Sequence, residues 1–133
     1  TYLRWSQENM RLNGFDVGPH EYIADDAMQW LGKAKREGYG PFELIIVDPP
    51  TFSNSRKMES TFDVQRDHPI LLQKCLDLLS ASGAIFFSTN FSEFRFDGGR
   101  LKKARAEETT KQTIPADFTG KKRPHRSWTI RRA

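Results

Sequence analysis

The chain has 133 residues, 37% of them hydrophobic and 29% charged, the make-up of one globular domain or a piece of one. Its formal charge of +4 admits a nucleic-acid partner without requiring one. No run approaches the ~20 apolar residues of a membrane helix, and the first residues carry no signal-peptide pattern. The single cysteine, Cys75, leaves no internal disulfide and suits a reducing cytosol.

Residues 2–13 predict a helix, with Tyr2, Leu3, Trp5, Asn9, Met10 and Leu12 on one side and Arg4, Glu8 and Arg11 on the other. Asn13-Gly14 suits a left-handed stop. A short strand is expected over residues 21–24, then Asp25-Asp26 and a second helix over residues 27–37 with Met28, Trp30, Leu31 and Ala34 on its apolar face. Gly38-Tyr39-Gly40-Pro41 predicts a turn. The run Leu44-Ile45-Ile46-Val47 has no alternation and predicts a strand buried on both faces, as in the middle of a parallel sheet.

That strand stops at Asp48-Pro49-Pro50-Thr51-Phe52-Ser53. The second proline forces Pro49 out of the helical region, so the chain leaves the sheet in a rigid, extended form. The Asp48 carboxylate is then held at the carboxyl edge of the sheet, where open α/β folds bind ligands. Asp26 also follows a strand and opens a helix at the same edge. An acid there can accept from an adenine amino group while the next backbone N–H donates to a ring nitrogen; a plain helix N-cap explains it equally well.

A polar loop follows, Asn54-Ser55-Arg56-Lys57-Met58-Glu59-Ser60. Residues 62–79 are mostly helical, with Pro69 expected in the first turn or separating off the preceding segment. Ser80-Ala81-Ser82-Gly83 reads as a loop and residues 84–89 as a second buried strand. Beyond it, Phe91, Phe94 and Phe96 alternate with polar residues, and Gly98-Gly99 is expected to open a helix over residues 100–106. Residues 109–114 and 127–131 are expected to form two antiparallel edge strands joined by the basic loop Gly120-Lys121-Lys122-Arg123-Pro124-His125-Arg126. The alternation of helices and strands predicts an α/β fold with a parallel sheet.

Other chemistries have little support. His20, His68 and His125 are scattered, without the close His/Cys pairing of a zinc site. Cys75 sits among leucines, as a packed thiol does. Gly38-Tyr39-Gly40 precedes a strand, so it is no phosphate-binding turn.

The Asp48-to-Ser53 segment resembles the fourth motif of class I S-adenosylmethionine-dependent nucleic-acid methyltransferases. More narrowly, three segments together resemble the C-terminal half of the bacterial bifunctional 23S rRNA guanine methyltransferases K/L. They are Thr1-Tyr2-Leu3-x-Trp5-x-x-x-Asn9-x-x-Leu12-Asn13-Gly14, then Asp48 to Ser55, then Phe62-Asp63-Val64-Gln65-Arg66-Asp67-His68. Asp117-Phe118, His125, Trp128 and Ile130 extend the likeness through the tail. That half is assigned guanine N7 methylation.

The resemblance implies a Rossmann-like class I methyltransferase sheet, S-adenosyl-L-methionine as cofactor, 23S rRNA as substrate and a cytoplasmic location. By position, it implies that Asp26, Ala27, Asp48 and Tyr2 hold the cofactor. Asp48, Pro49 and Pro50 border the methyl-transfer site and Phe52 walls the target base. Arg56, Lys57, Arg66, Lys121, Lys122 and Arg123 are the expected phosphate contacts. It also implies that the first two strands of the fold, with the Gly-rich turn and the ribose-binding acid, lie before Thr1. Residues 1–133 would then be the C-terminal part of one catalytic domain, inactive alone and open to self-association through exposed sheet edges. Exocyclic-amino methylation, cytosine C5 methylation and an inactive RNA-binding fragment are the rival expectations. The second of these needs a well-placed cysteine.

Overall fold

The computed structural model describes residues 2–54, 61–118 and 124–133. In chain order the elements are α1 (Tyr2–Leu12), α2 (Ala27–Ala34), β1 (Phe42–Val47), β2 (Phe52–Ser53), β3 (Phe62–Asp63), α3 (Val64–Asp77), β4 (Leu79–Thr89), a 3-10 turn (Gly98–Arg100), β5 (Ala104–Glu108), α4 (Thr110–Thr113) and β6 (Arg126–Arg132). The main sheet has the order β1-β4-β6-β5, and β2 pairs with β3 in a separate two-stranded ribbon. β1 and β4 are parallel, whereas β6 runs antiparallel to both of its neighbours. The α/β class holds with a Rossmann-like sheet: β1 and β4 are the parallel pair expected, and β6 is the antiparallel strand expected over residues 127–131, though it lies inside the sheet and not at its edge.

The core lies on one face of this sheet. Ile85 and Phe87 of β4 and Trp128 and Ile130 of β6 alternate inward and meet Leu71, Leu72, Cys75 and Leu76 of α3. The opposite face carries Leu44 and Ile46, which are 59% and 72% exposed. β1 is therefore not buried on both faces, as its unbroken apolar run suggested; it is the outer strand, and only Val47 at its end is buried. Residues 21–24 do not form a strand, because a strand needs a neighbour to satisfy its backbone groups and none of the described strands lies beside them. α1 forms as predicted but buries none of its residues.

Three further departures have a common cause, which is pairing at long range. Residues 104–108 form β5 rather than a helix, since they pair with β6 from Ala104↔Arg132 to Glu108↔Trp128. Arg126 closes this hairpin, with Nη2 3.0 Å from Glu108 Oε2 and its guanidinium 4.8 Å over the Trp128 ring. Residues 109–114 are then left to turn the corner, and they do so as the short helix α4. Residues 80–83, expected as a loop, belong to β4, yet the register jumps there from Phe42↔Leu79 to Leu44↔Ala84. Gly83 is what allows the bulge: a Cβ at that position would lie 2.8 Å from the Phe42 carbonyl oxygen.

α3 begins with a reciprocal cap. Asp63 accepts from the Arg66 N–H at 3.0 Å, and Asp67 Oδ2 accepts from the Asp63 N–H at 2.9 Å. The Arg66 guanidinium forks onto both Asp67 oxygens at 2.7 Å and also donates to the Thr61 carbonyl. This pairing, aided by the Asp63 N–H, holds the Asp67 carboxyl below the usual carboxylate range. A group so shifted stabilises the fold above its ordinary value of 3.8 and loses that contribution as pH falls through its folded value. Asp67→Asn is expected to cost about 1 kcal/mol at neutral pH. The difference from the parent should shrink in acid, as pH falls through the folded value of Asp67. Urea unfolding at neutral and at acid pH measures both.

Pro69 lies inside α3, beyond the first turn. A proline there has no N–H for the Gln65 carbonyl. His68 compensates: its Nδ1 lies 2.9 Å from the Val64 oxygen and 3.1 Å from the Gln65 oxygen. Its Nε2 accepts from the Asp97 N–H at 3.0 Å, which places the proton on Nδ1. Gln65 also brackets the Arg95 backbone, donating to its carbonyl at 2.9 Å and accepting from its N–H at 2.8 Å. Residues 91–101 are thereby strapped along the helix, with Phe94 buried among His68, Phe87 and Trp128.

Candidate functional site

Parallel pairing of β1 with β4 sets the site. Val47 lies opposite Phe87, so the next residues, Asp48 and Ser88, leave the sheet side by side at its carboxyl edge. Ser88 Oγ donates to Asp48 Oδ1 at 2.7 Å, and Thr51 Oγ1 donates to Asn90 Oδ1 at 3.1 Å. On the other side, the Val64 N–H at the start of α3 donates to the Thr51 carbonyl at 3.0 Å, and Phe52 and Ser53 pair with Asp63 and Phe62. The Asp48-Pro49-Pro50 segment is thus pinned at both ends, and the Asp48 carboxylate keeps its remaining acceptor capacity toward solvent.

Two cavities flank this segment and share it. One, of about 770 Å³, lies between α1, α2 and the end of β1; Tyr2, Asp26, Ala27, Met28, Ile46 and Asp48 contribute to its walls. That volume is within the range of small-molecule sites, and most of the lining side chains are apolar. The other, of about 680 Å³, opens toward β4 and β6, with Asp48, Phe86, Ser88, Asn90, Thr113 and His125 around it.

Of the residues singled out in the sequence, Asp26, Ala27, Asp48 and Tyr2 meet at the first cavity. Asp26 caps α2, with Oδ1 accepting from Met28 N–H at 2.8 Å and Gln29 N–H at 3.1 Å. The cap explanation is therefore satisfied by one oxygen, and the other remains beside the cavity. The Ala27 N–H belongs to the first helical turn, whose amides have no partner within the helix. A carboxylate acceptor next to an amide donor is the set that an adenine edge requires, so the residues present fit the adenosyl end of S-adenosylmethionine. Tyr2 is highly exposed and stacks edge-on against Trp5 at 5.6 Å.

Phe52, expected to wall a base, is 56% exposed just past the second proline. Arg66 is committed to Asp67 and Thr61, as described above. Arg56, Lys57, Lys121, Lys122 and Arg123 lie outside the described residues. Cys75 is 2% exposed, and burial pushes its thiol up to about 12, so it stays a protonated core residue at neutral pH.

The sequence pattern of S-adenosylmethionine-dependent methyltransferases matches residues 2–111. The chain belongs to that family. S-adenosylmethionine is the cofactor of these enzymes. Among the curated members it is similar to, the ribosomal RNA large subunit methyltransferase K/L of Aliivibrio fischeri is 46% identical over 132 residues, covering 98% of this chain. The protein of the same name from Acinetobacter baumannii is 42% identical, again over 98% of this chain. The chain spans 18% of the length of these relatives. Among solved structures, SMU.776 in complex with SAH superposes with a TM-score of 0.73 at 22% identity, covering 94% of this chain and 35% of that one. A SAM-dependent methyltransferase from Agrobacterium tumefaciens gives 0.70 at 18% identity, over 98% and 45%. At such identities these structures establish the methyltransferase fold.

The second cavity of this methyltransferase chain had gone unnoticed in the sequence. Thr113 and Ser127 carried no signal of their own, and His125 stood out only by the family's spacing. A signal was available for Ser88-Thr89-Asn90, which follow a buried strand to the same sheet edge as Asp48.

Proposed function

We propose that this chain builds the adenine side and the methyl-transfer side of an S-adenosylmethionine site that modifies guanine N7 in large-subunit rRNA. The observation that carries the proposal is the position of Asp48: one carboxylate, fixed by Ser88, stands between a cavity with an adenine-type donor and acceptor set and a second, polar cavity. The likeness to K/L methyltransferases supports rRNA as the substrate.

When bound, S-adenosylmethionine supplies an electrophilic methyl group on a sulfonium. Guanine N7 has an in-plane lone pair and needs no proton removed, so the protein's task is to align the base and to stabilise the positive charge it gains. Asp48 is placed to do the second. The rigid Pro49-Pro50 segment borders the place proposed for the base, and Phe52, exposed and in the wall of neither cavity, is proposed as an outer wall. Duplex RNA hides N7 in a deep, narrow groove, so the target guanine has to be unpaired or flipped. Arg56, Lys57, Lys121, Lys122 and Arg123 are the proposed phosphate contacts; Arg66 contributes only the exposed edge of a guanidinium already paired.

Cytosine C5 methylation requires a thiolate that adds to the ring, and the buried Cys75 cannot serve. Exocyclic-amino methylation remains the second reading, because the Asp48 loop has the acid-and-proline form those enzymes use. The chain spans only 18% of the length of its K/L relatives. Methyl transfer is therefore proposed for a longer polypeptide acting in the cytoplasm, with this chain inactive alone and the edge of β1 that no described strand pairs as its place of self-association.

Mass spectrometry of 23S rRNA nucleosides from a strain lacking the gene tests the proposal. Loss of one N7-methylguanine, restored by the intact gene, is expected. An unchanged N7-methylguanine level with loss of an amino-methylated base would move the assignment to the second reading. A methylation pattern unchanged throughout would favour an RNA-binding role alone.

A further inference from the structure

We infer that the second cavity reads the target base, and that Asn90 and His125 are the residues that select guanine there. The inference rests on the methyl-transfer reading of Asp48 and extends it to two side chains from different strands.

Asn90 stands at the end of β4, next to Asp48. Its Oδ1 is occupied by the Thr51 hydroxyl, and its amide N–H groups have no partner among the described residues. Asn90 therefore offers donors to the cavity. His125 precedes β6 on the far wall. Its Nε2 lies 2.8 Å from Thr113 Oγ1. Thr113 Oγ1 is also 3.2 Å from the Thr109 carbonyl and 3.2 Å from the Thr110 carbonyl, and these can only accept. We assign the single threonine proton to one of these carbonyls; His125 then donates to Thr113 from Nε2 and keeps Nδ1 as a lone-pair acceptor. Ser127 Oγ, 2.7 Å from the same hydroxyl, holds Thr113 in this role.

The cavity thus presents, in order away from the first cavity, a carboxylate, an amide donor and an imidazole acceptor. Guanine offers a matching edge: N7 where positive charge develops, O6 as an acceptor and N1–H as a donor. With N7 beside Asp48 and facing the first cavity, O6 accepts from Asn90 and N1–H donates to His125 Nδ1. Adenine reverses both of the last two groups. It would set its amino donor against the Asn90 amide and its N1 lone pair against that of His125, leaving four buried polar groups unpaired. Thr113 and Ser127 do not touch the base; they fix the imidazole.

The test uses the intact methyltransferase with Asn90→Asp, His125→Ala and Asp48→Ala variants. It measures S-adenosylmethionine affinity by calorimetry, steady-state kinetics on undermodified rRNA, and the modified nucleoside. Asn90→Asp, which replaces the donor by an acceptor at constant size, is expected to lower kcat/KM on the order of 100-fold. His125→Ala should lower it about 10-fold, with His125→Asn recovering part of the loss. Cofactor affinity should stay within about 2-fold of the parent in the Asn90 and His125 variants, which also reports that they fold. Parental kinetics in both, with Asp48→Ala inactive, would overturn the inference and leave the methyl-transfer site in place. Parental kinetics in Asp48→Ala would remove the site itself.

Discussion

Replacing Asp48 by Asn should abolish most methyl transfer while leaving the fold and the cofactor cleft intact. Asn keeps the size of the side chain and its carbonyl oxygen, so Ser88 Oγ, now 2.7 Å from Asp48 Oδ1, still finds an acceptor. What disappears is the negative charge at the junction of the two cavities. If that charge acts on the cationic product, its interaction grows along the reaction coordinate and its loss appears in kcat. Loss of one such preorganised group is expected to lower kcat by about 10² to 10³-fold. Affinity for the cofactor should change by less than about 3-fold, because the proposed adenine contacts, Asp26 and Ala27, lie on a different element. Single-turnover kinetics with the intact enzyme and a separate binding titration distinguish the two quantities. A variant that binds cofactor weakly yet turns over normally when saturated would place Asp48 in ground-state binding instead. Asp26→Ala should behave in the opposite sense, with weaker cofactor binding and a frayed start to α2 from loss of its cap.

The second large effect belongs to stability. His68→Ala is expected to destabilise the fold by about 3 kcal/mol. The imidazole is 1% exposed, fills space between Phe94, at 4.7 Å, and Phe96, at 5.7 Å, and satisfies backbone groups on two segments at once. Its removal strands the Gln65 carbonyl, which Pro69 cannot serve, and the Asp97 N–H, and it frees the strap of residues 91–101. The same residue predicts a pH dependence. Burial is the chief cause that holds the ring below its ordinary value of 6.5; Arg100 adds to this, while Asp97 and the Val64 and Gln65 carbonyls oppose it. The unfolded chain therefore takes up a proton at a higher pH than the folded one. Stability is complete above the ordinary value, falls as pH drops through it, and levels off once the folded value is passed. The slope between the two is at most about 1.4 kcal/mol per pH unit. Urea midpoints from pH 8 down to about pH 5 should show this decline in the parent and not in His68→Ala. An equal slope in both would assign the effect to another group.

Local chemistry in the sequence was enough for several features. α1 follows from its apolar spacing, and its end from Asn13-Gly14. The break after Val47 follows from an acid and two prolines, which no strand can continue through. Cys75 among leucines is a core thiol for the same reason that its neighbours are core: helical spacing placed it on the face that α3 turns to the sheet. The family likeness, carried by three separated segments, extended this to a cofactor and a proposed substrate, and the matched pattern over residues 2–111 bears out the cofactor.

Burial and pairing could not be obtained that way. Leu44 to Val47 has the composition of a central strand, but whether its second face is covered depends on what other strands and helices lie against it, which no local pattern encodes. Residues 104–108 have an acceptable helical sequence and became a strand because β6, 20 to 28 residues away at the paired positions, offers five such pairs and an Arg126–Glu108 fork. Asp48 was legible because its strand, its prolines and its charge are neighbours in the chain. Asn90 was legible only as a residue that follows a buried strand, and His125 only by family spacing: they reach the other side of Asp48 when parallel pairing brings the end of β4 beside β1 and antiparallel pairing brings the start of β6 beside β4. A proline pair sets a backbone angle from within the chain, whereas a cavity wall made of three strand ends exists only after the sheet has formed.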